Sequence, residues 1–181
     1  MSDTLDRYRR LADDLTDRVE AAPEDAWANS SPCAGWTARD VMAHVIGNAR
    51  AVLDRLTGVE HVPAPVTDVV KEWSAARADV EAVLADPERA GAPVDTPFGP
   101  MPVESFIGRF QCMDILIHTW DVARATGGDE NIDATAAAEA LAGLRAMGDV
   151  LRGPGLFKPE TTAPPDADVI TQLMCFCGRE V

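Results

Sequence analysis

The chain contains, from Gln111 to Gly127, the stretch Gln-Cys-Met-Asp-Ile-Leu-Ile-His-Thr-Trp-Asp-Val-Ala-Arg-Ala-Thr-Gly. Its apolar residues recur at the spacing of an α-helix, and the final glycine is a typical helix end. Asp114 and His118 are four residues apart, so their side chains lie on one helix face, one turn above the other. A carboxylate and an imidazole in this arrangement supply two ligands of a divalent-metal site. The simpler alternative is a buried ion pair between the same two residues.

The composition is that of an ordinary globular protein. The 181 residues, 46% hydrophobic and 25% charged, fit a single domain over 1–181 with a sizeable core. A formal net charge of −14 makes nucleic acid and anionic membranes poor partners. No apolar run reaches the roughly 18 residues of a membrane span, and the N-terminus lacks the apolar region of a signal peptide. We therefore expect a cytoplasmic protein with reduced cysteines.

Four long amphipathic helices are predicted, at about residues 4–21, 37–58, 67–84 and 103–126. The second has the clearest boundaries, because Thr37 and Asp40 form a capping box and Gly58 marks its end. The fourth has an apolar stripe that is expected to face the core: Phe106, Phe110, Met113, Ile117 and Trp120.

The remaining segments connect or follow these helices. Residues 86–102 are rich in proline, which favours a short ribbon or an irregular excursion. A fifth helix is predicted at about 133–151, then a Gly/Pro-rich loop, and a short terminal helix at about 168–177. The pattern predicts an all-α four-helix bundle with a long crossover and a short C-terminal helical appendage.

A third metal ligand must come from elsewhere in the chain, which has only three histidines. His61 follows a helix stop in a proline-containing loop and is expected at the surface. His44 lies inside the second helix, although a single helical histidine is more often a satisfied core or boundary residue. Together His44, Asp114 and His118 would leave an open position on the metal, as in catalytic zinc sites. Nickel, iron or manganese also suit mixed nitrogen and oxygen ligands.

Other polar residues lie one turn from these candidates. Asn48 and Gln111 are predicted to contact the substrate or to support the ligands. Asp121 either orients a ligand histidine or forms an ion pair with Arg124, three residues later.

The cysteines and two aromatic residues complete the candidates. Cys33 precedes the second helix, whose N-terminus can lower a thiol pKa, but no histidine is near in sequence, so a structural role is expected. Trp36 and Phe98 are candidate walls of a pocket. Cys175 and Cys177 have neither redox nor usual zinc spacing, and we expect both to be buried as small apolar residues.

Two segments, Ser31–His44 and His118–Gly127, resemble signature segments of the DinB-like superfamily. The branch they resemble is the mycothiol-dependent maleylpyruvate isomerase N-terminal-domain group, in its small single-domain metal-binding form. The motif Thr96-Pro-Phe-Gly and the closing Cys177-Gly-Arg are similar to that branch as well.

This resemblance implies an up-down-down-up four-helix bundle that holds a divalent metal, usually zinc or nickel. Its ligands are a histidine on the second helix and an acid-or-His-x-x-x-His pair on a later one, which correspond to His44, Asp114 and His118. The isomerase has Glu at the position of Asp114, one methylene longer, so the coordination geometry is expected to differ. The isomerase's C-terminal domain has no counterpart in this sequence, so its particular substrate is not transferred.

The resemblance also implies a use for the metal. A low-molecular-weight thiol such as mycothiol would bind it and attack a small electrophile, in S-transfer or in cis/trans isomerisation, because a bound metal lowers the thiol pKa. Two alternatives stay open: a non-catalytic bundle that binds a metal or small ligand, and a zinc-hydroxide hydrolase that needs no thiol. A monomer or homodimer is expected.

Overall fold

The computed structural model describes residues 3–59, 62, 64–96, 99–148 and 157–181. Its helices are α1 (Asp3–Ala21), α2 (Ala38–Thr57), α3 (Val69–Ala85), α4 (Pro87–Gly91), α5 (Val103–Phe106), α6 (Cys112–Thr126), α7 (Ala134–Met147) and α8 (Val169–Phe176). A 3₁₀ turn covers Glu24–Ala28, and a π-helical turn, Ile107–Gln111, joins α5 to α6.

The four long helices form the predicted bundle. Helix α1 packs against α3 and α6, and α2 packs against the same two helices, so α1 and α2 lie diagonally across the bundle. Helices α7 and α8 pack against each other, and α7 also contacts α6. The all-α bundle with a C-terminal helical appendage is therefore confirmed. Its core contains large side chains from every long helix, including Tyr8, Leu15, Met42, Ile46, Trp73 and Leu116.

Helix α2 begins as the sequence predicts. The Asp40 amide donates to Thr37 Oγ1 at 3.2 Å, and the Thr37 amide donates to Asp40 Oδ2 at 2.9 Å. These reciprocal bonds satisfy two amides that a helix start otherwise leaves without partners. Gly58 ends the helix in the left-handed conformation, with φ of 69°. Both ends of α2 are therefore fixed by local chemistry.

The helix expected at 103–126 is interrupted by the π turn. Backbone dihedrals stay helical on both sides of Ile107–Gln111. A π turn takes up one extra residue, so side chains before it are rotated relative to those after it. The apolar stripe that was expected to face the core does not run straight along this segment.

The predicted core stripe is fully buried at its C-terminal end and only partly buried at its N-terminal end, where Phe106 and Met113 pack against the edge of the core. Ile117 and Trp120 are buried. Phe106, Phe110 and Met113 are only partly buried and line a cavity. The π turn follows Phe106 and includes Phe110, so it rotates these two side chains relative to the residues of α6.

The connections agree with the remaining expectations where the structure describes them. Strands β1 (Pro93–Val94) and β2 (Met101–Pro102) pair antiparallel, which confirms the short-ribbon alternative. Helix α7 is capped by Asp133, as expected, and the end predicted for it lies outside the described residues. His61 and Phe98 also lie outside them. In the described part of the chain, every helix is too short or too polar to cross a membrane.

Candidate metal centre

A cavity of about 620 Å³ lies between α2, the α5–α6 segment and the C-terminal residues. All five residues predicted as ligands or substrate contacts line it: His44, Asn48, Gln111, Asp114 and His118. Its size is in the range of small-molecule sites. The sequence-predicted candidates therefore share one concave surface.

The three predicted ligands converge at one side of this cavity. His44 Nε2 lies 3.2 Å from Asp114 Oδ1, and His118 Nε2 lies 3.4 Å from the same oxygen. One donor atom from each of the three residues lies within 4.8 Å of the others. In a tetrahedral zinc site with bonds of about 2.0–2.2 Å, neighbouring donors are about 3.4 Å apart. The donor set therefore fits such an ion, and its role as a ligand set stays a prediction.

Asn48 contacts two of the three predicted ligands. Its Nδ2 lies 2.9 Å from His44 Nε2 and 3.1 Å from Asp114 Oδ2. His44 Nε2 carries either a proton or a lone pair, so it cannot accept from Asn48 and also donate to the Asp114 carboxylate. In either state Asn48 donates to Asp114 Oδ2 and lies beside His44.

The buried charges on α6 are strongly coupled. Burial alone would raise the pKa of Asp114, but the imidazoles of His118 and His44 outweigh burial and hold that pKa well below its usual value. Burial would lower the pKa of His118, and the Asp114 carboxylate outweighs it and raises that pKa well above the usual value. Both shifts favour a charged pair between the Asp114 carboxylate and the His118 imidazolium. A metal ion that binds His118 Nε2 would compete with a proton for that nitrogen.

His118 is held from behind by a second carboxylate. Its Nδ1 lies 2.9 Å from Asp121 Oδ2, and since an ionised carboxylate only accepts, Nδ1 carries a proton. Arg179 donates to both oxygens of Asp121, from Nη2 at 2.7 Å and from Nε at 3.1 Å. These contacts outweigh the burial of Asp121 and lower its pKa to about 2. The chain Arg179–Asp121–His118 thus directs Nε2 towards the cavity, as carboxylates do for metal-binding histidines.

Of the two alternatives for Asp121, the structure supports the orienting one. Arg124 instead pairs with Glu130 at 2.7 Å and lies over the ring of Trp120. The true partner, Arg179, follows Asp121 by 58 positions. Sequence reasoning missed it because no local spacing links the two residues.

A second group of potential ligands shares His118: Cys33, His118 and Asp121. Arg179 already contacts two of these residues, because its Nη2 lies 3.2 Å from Cys33 Sγ and 2.7 Å from Asp121 Oδ2. A metal ion held by Cys33 and Asp121 would have to displace this guanidinium. Cys33 also donates to Asp121 Oδ2 at 3.3 Å and lines the cavity, a position that the sequence did not indicate. The structural role expected for it stays a prediction.

The loop before α2 positions Cys33 and Trp36. The Ser31 amide donates to the Trp36 carbonyl, and the Trp36 amide donates to the Cys33 carbonyl, which folds the loop into a tight turn. Asn29 donates to the Ala125 carbonyl at 3.0 Å and ties this loop to α6. Trp36 lies against both imidazoles, with ring centroids 5.2 Å from His44 and 6.5 Å from His118. Trp36 therefore forms a wall of the cavity, as predicted.

Gln111, at the end of the π turn, reaches across to α2. Its Nε2 donates to the Asn48 carbonyl at 2.6 Å, while its buried Oε1 has no hydrogen-bond partner among the described residues. Asn48 and Gln111 are thus adjacent on the cavity wall. Their predicted contact with substrate stays a prediction.

The C-terminal turn brings Arg179 into the site. The Gly178 amide donates to the Cys175 carbonyl, and the Arg179 amide donates to the Met174 carbonyl. Gly178 has a φ of 78°, and a Cβ there would lie 2.5 Å from Lys158 Cβ. Only glycine fits this turn without displacement. Cys175 is buried, as expected.

Comparisons with known proteins agree with this architecture. Two relatives from strains of Mycobacterium tuberculosis, both described as uncharacterized proteins, are 33% identical over 181 residues and match 99% of each chain. Two solved structures of mycothiol-dependent maleylpyruvate isomerase, one a histidine-to-alanine mutant, have TM-scores of 0.59 and 0.60 at 16% identity. They match 77% and 80% of this chain, which spans 66% and 67% of theirs. At this identity they show the fold alone.

The family model described as the mycothiol maleylpyruvate isomerase N-terminal domain matches residues 8–123. This range is more than half of the chain and includes all five predicted site residues. It ends before Arg179, whose contact with Asp121 is a feature of this structure. The chain belongs to the family of the mycothiol maleylpyruvate isomerase N-terminal domain, as the sequence resemblance predicted.

Proposed function

We propose that this protein is a divalent-metal-dependent enzyme that uses a low-molecular-weight thiol to transform a small electrophile, as a thiol S-transferase or an isomerase. The observation that carries the proposal is the convergence of His44, Asp114 and His118 on an open cavity. Three protein ligands with one side open are typical of catalytic rather than structural metal sites.

We assign His44, Asp114 and His118 as the ligands and zinc as the preferred metal, with nickel, iron or manganese as alternatives. When bound, the metal would lower the pKa of a thiol in the open position and favour its nucleophilic thiolate. Asp121 fixes the proton on His118 Nδ1 and leaves Nε2 to the metal. Asn48 holds the Asp114 carboxylate, and the exposed ring of Trp36 covers one side of both imidazoles.

The thiol assignment is supported by the family. The family and the structural neighbours are named for mycothiol and maleylpyruvate isomerase. Mycothiol is therefore the first thiol to test. We do not assign maleylpyruvate as the substrate, because the chain spans only about two thirds of the isomerase chains.

The test is a turnover assay with zinc-loaded protein, mycothiol and a panel of electrophiles that includes cis-unsaturated acids and aryl halides. We expect turnover that needs both thiol and metal, and that falls by about 100-fold or more in Asp114→Asn. Arg145→Gln is the matched control, because Arg145 is exposed and remote from the cavity.

Two outcomes would contradict the proposal. Turnover that is equally fast without thiol would identify a zinc-hydroxide hydrolase. Stoichiometric metal with no turnover of any electrophile in the panel would favour a non-catalytic binding protein.

A further inference from the structure

The charge of the cavity differs from that of the whole protein. The chain has 30 acidic and 16 basic residues. Among the described residues that line the cavity, Asp114 is the only carboxylate, whereas Arg55, Lys158 and Arg179 carry positive charge. A cavity with cationic side chains in an acidic protein concentrates anionic ligands.

Arg55 is the cation whose position suggests a ligand. Its Nη1 donates to the Ala51 carbonyl at 3.0 Å, and its guanidinium lies 5.1 Å from the centre of the Phe106 ring. In the described part of the chain it forms no ion pair with a carboxylate. Arg179, by contrast, is committed to Asp121. Arg55 therefore has donors left for an external anion.

An apolar surface lies between Arg55 and the candidate metal centre. Phe106 and Phe110 pack at a ring-centroid distance of 5.4 Å and are only partly buried. Both line the cavity, together with Ala51. Partly buried aromatic rings in a concave site favour a flat or apolar ligand group.

The two ends of this surface are far apart. His44 and Arg55 lie eleven residues apart on α2, which corresponds to about 16 Å along the helix axis. The Arg55 guanidinium bends back to the Ala51 carbonyl, which shortens this separation by about one helical turn, roughly 5 Å, and still leaves the guanidinium and the metal centre at opposite ends of the surface. The surface therefore suits an elongated ligand.

We propose that the arm of the cavity formed by Ala51, Arg55, Phe106 and Phe110 binds an aromatic or apolar carboxylate. The apolar group lies on the two phenylalanine rings, and the carboxylate is paired with the Arg55 guanidinium, which suits two-point binding. This inference rests on the proposed function, because it names the class of electrophile that the enzyme acts on: elongated apolar acids.

The test is equilibrium binding of three unreactive probes to the zinc-loaded protein. Phenylbutanoate and phenylbutanamide share the ring and linker and differ in charge, and butanoate keeps the charge without the ring. We expect phenylbutanoate to bind about tenfold more tightly than either of the others. Arg55→Gln should abolish the tighter binding of phenylbutanoate relative to phenylbutanamide, whereas Arg145→Gln should leave that difference unchanged. Arg55 is exposed near the end of α2, so this substitution is expected to fold.

Two results would overturn the inference. One is equal affinity of the wild-type protein for phenylbutanoate and phenylbutanamide. The other is tighter binding of phenylbutanoate than of phenylbutanamide that persists in Arg55→Gln but disappears when zinc is removed. That result would mean that the carboxylate binds the metal and not Arg55. Asp114→Asn separates this inference from the proposed function, since it should lose turnover and keep the preference that depends on Arg55.

Discussion

The two carboxylates of α6 that contact His118 differ in how their charge is balanced. Asp121 is fully buried and paired with Arg179, a cation that belongs to the chain. Asp114 is partly exposed to the cavity, and its side-chain contacts are two imidazoles and the Asn48 amide. The first cluster contains an arginine, whereas among the described residues the second contains neither Arg nor Lys.

This difference suggests that the two carboxylates have different roles. The Arg179 side of His118 fixes the proton and the orientation of the ring. The Asp114 side presents nitrogen and oxygen donors to an open space, where an external cation fits. A protein that used the Asp121 side for metal would first have to displace a guanidinium that makes two hydrogen bonds to the carboxylate. The following substitutions test the comparison.

The largest effect is expected for zinc affinity in Asp114→Asn. The substitution removes the anionic ligand and keeps the size of the side chain. Removing an outer-shell partner alone typically costs 10–100-fold, so we expect a loss of about 100-fold or more. Calorimetric titration of the chelator-treated protein measures it. Cys33→Ser is the control from the other cluster and should change zinc affinity only slightly; a larger loss in Cys33→Ser would reverse our assignment.

Arg179→Met should cause the largest loss of stability. It leaves Asp121 as a buried carboxylate without its cation, which typically costs about 3–5 kcal/mol. Urea unfolding of metal-free protein provides the measurement. The control is Arg124→Met, because Arg124 pairs with Glu130 at the surface, and such pairs contribute about 1 kcal/mol or less. Equal losses in both variants would show that the Arg179–Asp121 pair contributes no more to the free energy of unfolding than a surface ion pair.

The same pair predicts the response to acid. The folded pKa of Asp121, about 2, lies below its ordinary value of 3.8. The ionised carboxylate therefore stabilises the fold fully above about pH 4, and this contribution is lost as the pH falls through 2. The stability difference between wild type and Asp121→Asn should shrink by about 2 kcal/mol from pH 5 to pH 2. Urea unfolding at several pH values checks this, and a constant difference would contradict it.

The smallest effect is expected at the turn that delivers Arg179. Gly178→Ala and Gly58→Ala both place a side chain at positive φ, which costs about 1 kcal/mol. Around Gly58 the new Cβ meets no atom of the described residues within 4 Å, whereas at Gly178 it meets Lys158 and Pro159. Gly178→Ala should therefore lose roughly 1 kcal/mol more in thermal unfolding. Equal losses would mean that Lys158 and Pro159 can move away from the new Cβ at no cost in stability.

Local chemistry made much of the fold predictable. The capping box of Thr37 and Asp40 and the glycine at 58 fixed α2, and the i, i+4 spacing placed Asp114 beside His118. His44 is the third candidate metal ligand partly because the chain has only three histidines, and the structure brings it to Asp114. Short-range patterns of this kind survive folding because they depend on neighbouring residues.

The missed features depend on distant residues or on a local irregularity. Arg179 reaches Asp121 through the tertiary fold, so no spacing along the chain indicates the pair. Phe106 and Phe110 follow the period of a regular helix, but the π turn changes the face that they present. Cys33 acquires its contacts only when its loop folds back onto α6.

The most direct test is the X-ray absorption spectrum of the zinc-loaded protein without added thiol. If His44, Asp114 and His118 hold the metal, the spectrum should show only nitrogen and oxygen neighbours at about 2.0–2.2 Å, with an imidazole contribution that weakens in His44→Ala. A sulfur neighbour at about 2.3 Å would place the metal at Cys33 instead and contradict the account.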